Sequence, residues 1–323
     1  MAGQTEARAP QFAYTESEVK AARAAAERSL AEDLDDRGDI TTRLFGEASS
    51  AAVIEAAFVP RENGILAGAR VADEVFTLID KGTEIRWLIG DGEQLVRGRA
   101  AAVLAGSADA ILAGERSALN SLCHLSGIAT MAHRFVSLIE LASPDCRLRD
   151  TRKTHAGLRI LEKAAVRAGG GINHRLNLSD AVLIKDNHIA AFLDSRMPDR
   201  DGDLASSELE KRFRDLVVAA REQYPGVEIE IEADTIGVVE AAVAAGADTV
   251  LCDNMSPPEL GQAVEVARGR CRLEASGGVT LENVSEVAAT GVDYIAVGAV
   301  THSAPALDIG LDLLGLGSSK GNE

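Results

Sequence analysis

Aromatic residues are scarce, only 3 % of 323 residues. A core with so few rings must be built from Ala, Val, Leu and Ile, which suits helices lying close on a sheet. The four cysteines, Cys123, Cys146, Cys252 and Cys271, show no CxxC spacing. They read as reduced, mostly buried thiols, and the spacing argues against a zinc site built from them. Positive charge is in deficit: 33 Lys and Arg stand against 50 Asp and Glu, a formal charge of −17. That balance argues against general nucleic-acid or anionic-membrane binding. No apolar run approaches the roughly 20 residues of a membrane span. The N-terminal MAGQTEARAP lacks the apolar region of a signal peptide, so a cytoplasmic protein is expected. There is no GxxxxGK[ST] loop and no GxGxxG after a strand. No Ser-His-Asp or Cys-His spacing supports a covalent nucleophile.

Against this background Arg147 to Lys185 is a basic island. It holds nine Arg or Lys and only three acids, Asp150, Glu162 and Asp180. Arginine offers a planar donor fork that fits carboxylate or phosphate bidentately, so the island points to an anionic ligand. A solvated helix face is the bland alternative. Three features weigh against it. Arg152-Lys153 and His174-Arg175 lie outside the helix expected near Leu158–Ala168. Gly169-Gly170-Gly171 is a backbone hinge. Lys185 ends the apolar run Ala-Val-Leu-Ile, where a charge needs a partner.

The length suits one large domain or two ordinary ones. Residues 1–13 read as a disordered tail. Thr15 to Asp33 reads as a helix with Thr15 or Ser17 as N-cap. Residues 14–141 form a first domain of short strands, turns and helices, ending in an apolar helix over Ala110–Leu141. A second, over 142–323, alternates strand and helix. Its strands are Cys146–Arg149, Ala181–Lys185, Val227–Glu232, Asp248–Cys252, Cys271–Ala275 and Asp293–Val297, with Ala-rich helices between most of them. The last C-terminal helix is allotted a possible return to the first domain. The polar stretch over 194–208 reads as a surface insertion.

All six strands are followed by reactive or phosphate-friendly residue types. Arg152-Lys153, Lys185-Asp186-Asn187-His188, Glu232, Asp253-Asn254, Ser276-Gly277-Gly278 and Gly298 to His302 come after them in turn. A doubly wound sheet would concentrate such residues at one switch point. A barrel brings them all to one mouth, so a barrel is expected. The two glycine-rich loops before helices suit phosphate on backbone N–H groups. Glu232 and Asp253 suit Mg²⁺ through water, or sugar hydroxyls. His174-Arg175 is the sharpest histidine-bearing pair. His188 reads as a helix cap, and His124 and His133 as core or surface residues. The whole fits transfer chemistry on a phosphorylated sugar with a polyanionic co-substrate.

Taken together, EDLDDRGDITT, GERSALNSLCHLSGIAT, DTRKTHAGLR, KAAVRAGGGINHRLNLSDAVLIKDNH, IEIEADT, LCDNMSP, LEASGGV and IAVGAVTHSAPALDIGL closely resemble the quinolinate phosphoribosyltransferase family, from about Glu32 to Leu314. Cys123 departs from a usual glutamine, and His155-Ala156 from a common Thr-Pro. The resemblance implies an α/β fold: an N-terminal α/β sandwich domain plus an open, incomplete α/β barrel of the type II phosphoribosyltransferases. It implies a decarboxylating pentosyltransferase that joins quinolinate to 5-phosphoribosyl 1-pyrophosphate with Mg²⁺, in de novo NAD biosynthesis. It also implies a homodimer with a shared active site. Arg152, His174, Arg175 and Lys185 would grip quinolinate, with Arg116 arriving from the partner subunit. Lys153, Glu232 and Asp253 would serve pyrophosphate, Mg²⁺ and ribose. Ser276, Gly277, Gly298 and His302 would hold the 5′-phosphate. Lys153, Lys185, Glu232 and Asp253 are the implied catalytic set.

Overall fold

A computed structural model describes residues 12–47, 51–192 and 206–314. Most of the expected N-terminal tail and nearly all of the 194–208 insertion lie outside the described residues. The chain forms two compact units. The first takes the described residues up to His133, then Thr154–Gly170, then those from Thr301 onward. The second takes Arg134–Lys153 and Gly171–Val300.

The first unit opens with helix α1 (Glu16–Leu34). Thr15 caps it, and Glu18 reaches back to the Thr15 amide, so two orphan N–H groups are satisfied reciprocally. The unit's sheet is antiparallel, in the order β12 (Ile309–Leu313), β1 (Val53–Pro60), β5 (Ala102–Ser107), β3 (Glu84–Trp87). A two-stranded ribbon, β2 (Gly64–Ile65) with β4 (Gln94–Leu95), stands beside it in the chain. Three of the chain's eleven aromatics meet on this sheet and on helix α2 (Ala69–Ile79). Phe58 stacks on Trp87 at 6.0 Å and meets Phe76 at 6.4 Å. The chain's last described element is therefore a strand, where a helix was expected. Isoleucine and leucine alternate with glycine and aspartate in IGLDL, the period of a half-buried strand, and Leu313 pairs with Ala56.

Helix α3 (Ala108–Ala142) is longer than expected and crosses from one unit's residues into the other's. By length and composition it would pass for a membrane span, which corrects the reading that no segment comes near one. Over its most apolar 18 residues more than half, 56 %, are buried inside the protein, as in a core helix. Helix α4 (Arg159–Ala168) packs with the first unit, where the sequence had placed it in the barrel. Arg167 meets Glu18 of α1 at 2.6 Å, and a Cβ on Gly169 would lie 2.3 Å from the Ala129 carbonyl of α3. Only glycine permits that approach, which accounts for the first residue of the Gly-Gly-Gly hinge.

The second unit is a six-stranded parallel sheet, ordered β6 (Arg147–Arg149), β11 (Tyr294–Ala296), β10 (Arg272–Ser276), β9 (Thr249–Asp253), β8 (Ile229–Ala233), β7 (Val182–Ile184). Consecutive strands β7 to β11 are neighbours, and β6 lies beyond β11. This is the order of a barrel with one seam, between β6 and β7, left open. Ile172 makes a single bridge to Arg149. Helices α5 (Asp186–Phe192), α6 (Ser206–Gln223), α7 (Ile236–Ala245), α8 (Pro257–Ala267), α9 (Val284–Ala288) and α10 (Ala299–His302) follow the strands. The Lys185 amide donates to His188 Nδ1 at 2.9 Å, so His188 does cap the start of α5.

Candidate active site

A parallel sheet sends all its carboxyl ends to one side. There the second unit has a cavity of about 380 Å³. Eight of the expected residues line it: Arg152, Lys153, His174, Arg175, Lys185, Glu232, Asp253 and Ser276. Gly277 and Ser276 line a cavity of about 430 Å³ around the β9 and β10 ends. Arg116, Gly298 and His302 line neither. Arg116 is exposed on α3, Gly298 precedes α10, and exposed His302 meets Ser303 Oγ through Nδ1 at 2.6 Å.

The cations are not all committed. Among the described residues, Arg152 Nε is buried with no hydrogen-bond partner. Arg175 donates to the Ala181 carbonyl at 3.0 Å. Burial, and then the nearby Arg152 charge, pull its guanidinium below its usual pKa. Two half-buried guanidiniums side by side suit an anion, whose charge would favour the ionised form of Arg175. Lys185 donates to Glu232. Burial raises the pKa of Glu232, and Lys185 only partly offsets it.

The loops are held by residues that sequence reasoning missed. Asp150, fully buried, accepts from the Asn173 side chain at 2.5 Å and the His174 amide at 2.9 Å. His174 Nδ1 accepts from the Arg175 amide at 2.8 Å, and Nε2 meets Glu230 at 2.8 Å. The imidazole proton therefore faces Glu230. Burial opposes charge on His174, yet Glu230 and Glu274 outweigh it and raise its pKa. Glu274 in turn meets Arg149 at 2.9 Å. Burial and then the Glu230 charge push Glu274 up to about 7. The sequence did carry a signal for Glu230: in Ile-Glu-Ile-Glu the two acids share one strand face, so Glu230 follows Glu232 inward. For the packing of Asn254 it carried none. Asn254 sits at φ 56° after β9, donates to Asp253 at 2.8 Å, and fills the space above Gly277.

Two groups of described residues bring three metal-ligand atoms within 4.8 Å of one another: His174 with Glu230 and Glu274, and His124 with His155 and Glu162. Glu232 and Asp253 form no such trio among the described residues.

An incomplete parallel barrel with cations and two carboxylates at its carboxyl ends defines a class of α/β protein built for anionic substrates. Comparison with known proteins narrows this. The model of the quinolinate phosphoribosyl transferase C-terminal domain matches residues 128–312, and that of the N-terminal domain matches 39–126. The nicotinate-nucleotide pyrophosphorylase [carboxylating] of Mycobacterium leprae is 40 % identical over 308 residues, covering 93 % of this chain and 99 % of the relative. The probable enzyme of that name from Bacillus subtilis is 40 % identical over 277 residues, 85 % of this chain and 88 % of the relative. A nicotinate-nucleotide pyrophosphorylase structure from Francisella tularensis is 34 % identical with a TM-score of 0.81, over 95 % of this chain and 100 % of that one. The chain belongs to the quinolinate phosphoribosyl transferase family.

Proposed function

We propose that this protein transfers phosphoribosyl from 5-phosphoribosyl 1-pyrophosphate to quinolinate, releasing pyrophosphate and CO₂ and forming nicotinate mononucleotide in de novo NAD synthesis. The observation that carries the assignment is the pair Arg152 and Arg175 in one cavity, the first with a buried Nε that meets no partner, the second with its pKa pulled down by burial and then by the Arg152 charge. A dicarboxylate relieves both faults at once. In this reading Arg152, His174, Arg175 and Lys185 hold quinolinate, His174 braced from behind by Glu230. Lys153, Glu232 and Asp253 face pyrophosphate and ribose, and Ser276, Gly277, Gly298 and His302 serve the 5′-phosphate.

The chemistry follows from charge. Lys153 offsets the charge of the departing pyrophosphate while C1′ gains positive character beside Glu232 or Asp253. The quinolinate nitrogen forms the new bond to C1′. The adjacent carboxylate then leaves as CO₂, the pyridinium charge stabilises the electron pair left on that ring carbon, and a proton from solvent completes the product. Orientation and electrostatics do this without a covalent enzyme intermediate. Mg²⁺, when bound, supplies further charge neutralisation at the pyrophosphate. Glu232 and Asp253 fit it: both offer hard oxygens, and two carboxylates suffice for an ion that keeps waters and takes phosphate oxygens. The pKa of Glu232, held up by burial, is what a nearby cation would lower.

We place the enzyme in the cytoplasm, as a homodimer in which Arg116 completes the partner's site. Refolding an Arg116→Ala chain together with a Lys185→Ala chain should then restore about a quarter of the activity, since one site in each mixed dimer is intact. No recovery, with dimers confirmed by light scattering, would remove the shared site. The assignment itself rests on one assay, CO₂ release from quinolinate. It should require phosphoribosyl pyrophosphate and Mg²⁺, and nicotinate or nicotinamide should not replace quinolinate as the accepting base. Preference for either of those would sink it.

A further inference from the structure

Three side chains of the first unit converge without any part in the reaction above. His124 lies on α3, His155 precedes α4, and Glu162 is in the first turn of α4. Glu162 Oε1 meets His124 Nε2 at 2.9 Å and His155 Nδ1 at 2.6 Å. Its other oxygen accepts from the His155 backbone amide at 3.1 Å. The two rings stand edge to face, centroids 5.1 Å apart. The carboxylate side chain is 0 % exposed, His124 26 % and His155 53 %.

We propose that His124, His155 and Glu162 form a binding site for a divalent transition metal, and that Zn²⁺ is the ion it suits best. All three ligand atoms lie within 4.8 Å of one another. Zn²⁺ binds imidazole nitrogen and carboxylate oxygen at about 2.0–2.2 Å, which sets the ligand atoms roughly 3.3 Å apart in a tetrahedron. The contacts at 2.9 and 2.6 Å need to open by less than about 1 Å to admit the ion. Two imidazoles in a set of three favour Zn²⁺ over Mg²⁺ or Ca²⁺, which take oxygen. The His155 amide pins the far oxygen of Glu162, the outer support that orients a ligating carboxylate. The open side of His155 leaves a fourth position to water. Each imidazole now shows its proton to Oε1. Ligation requires each ring to carry its proton on the other nitrogen, a tautomer change that solvent can carry.

His155 is also one of the chain's two departures from its family's motifs, where threonine is common. The third ligand is therefore a feature of this chain rather than of the motif. A bound ion would tie the chain directly after Lys153 to α3, and would stabilise the fold because the unfolded chain has no such site.

The test uses the full chain, stripped by chelator and dialysed against micromolar free Zn²⁺. We expect one Zn²⁺ per chain by atomic emission, a raised Tm, and visible Co²⁺ bands of a four-coordinate site after cobalt exchange. His155→Thr changes a half-exposed loop residue and should keep a cooperative unfolding transition without metal. It should weaken Zn²⁺ at least about tenfold, the scale on which even outer-shell partners act. Cys271→Ser should bind like the parent. Equal uptake by parent and His155→Thr, loss of uptake in Cys271→Ser, or no Zn²⁺ retained by the parent would each overturn the site.

Discussion

Glu162 and Glu274 are both buried carboxylates that meet histidine, and burial pushes the pKa of each upward. The net shifts nonetheless oppose one another. Glu162 ends below its ordinary value because His124, His155 and the His155 amide all donate to it. Glu274 ends near 7, because the Glu230 charge adds to burial and His174 and Arg149 only partly offset both. One cluster has two imidazoles to one acid, and the other has one imidazole to two acids. Donors counted against carboxylates, together with the deeper burial of Glu274, set the sign. The first arrangement is a ready ligand set. The second is a brace behind His174 that keeps a proton near neutral pH.

The largest expected difference between them is in stability. Glu274→Ala leaves Arg149 buried with its best partner gone, a loss of about 3–5 kcal/mol. Glu162→Ala removes hydrogen bonds whose imidazole donors can turn to water, a loss of about 1–3 kcal/mol. Urea unfolding of metal-free protein measures both. Equal losses would break the comparison.

The next difference is in catalysis. Arg175 takes its amide partner from His174, and its guanidinium lies beside Arg152. Arg175→Lys keeps the charge but loses the fork, and should lower kcat/KM for quinolinate by about 1.5–3 kcal/mol of transition-state binding. His155→Thr, in the other cluster, should change kcat/KM by no more than about twofold, as for a surface substitution. An unchanged Arg175→Lys enzyme would remove the grip assigned to that residue.

The sequence disclosed the strand–helix rhythm and a barrel because parallel strands announce themselves by apolar runs with polar ends; that the barrel is open came only from the family resemblance. Each observed strand begins or ends within two residues of its expected bounds. It disclosed six of the eight cavity residues because a strand's carboxyl end has a fixed place in a barrel, and His174-Arg175 because they follow a glycine hinge inside a basic island. It concealed what depends on tertiary contact. Nothing in IGLDL says that it pairs with Val53–Pro60, and nothing in LEKAAVRA says that α4 leaves the barrel for α1. His124 read as core or surface because its partners lie 31 and 38 residues away in the chain. Glu274 was hidden for the same reason, since its pairing with Arg149 spans 125 residues. Asn254 was placed after its strand, but its packing above Gly277 was hidden because that contact spans the ends of two strands.

The effect that isolates the sign of each cluster is the pH dependence of stability. Glu274 ordinarily titrates near 4.5 and is raised to about 7 in the fold. Between those values the folded chain holds a proton that the unfolded chain has lost. Its stabilisation is therefore complete below about 4.5 and falls as pH rises toward 7, by at most about 1.4 kcal/mol per pH unit for one proton. His174, also raised, has the same sign: its contribution is present below its ordinary value and is lost as pH rises through the folded one. Glu162 is lowered, so its contribution is present above the ordinary carboxylate value and is lost as pH falls through the folded one. Urea midpoints across this range should thus respond differently to two isosteric changes. Glu274→Gln should flatten the decline between 4.5 and 7. Glu162→Gln should leave that decline intact and flatten only the acid limb below it. If Glu162→Gln altered the neutral limb, or Glu274→Gln altered only the acid one, the donor count would not be what sets the two acids apart.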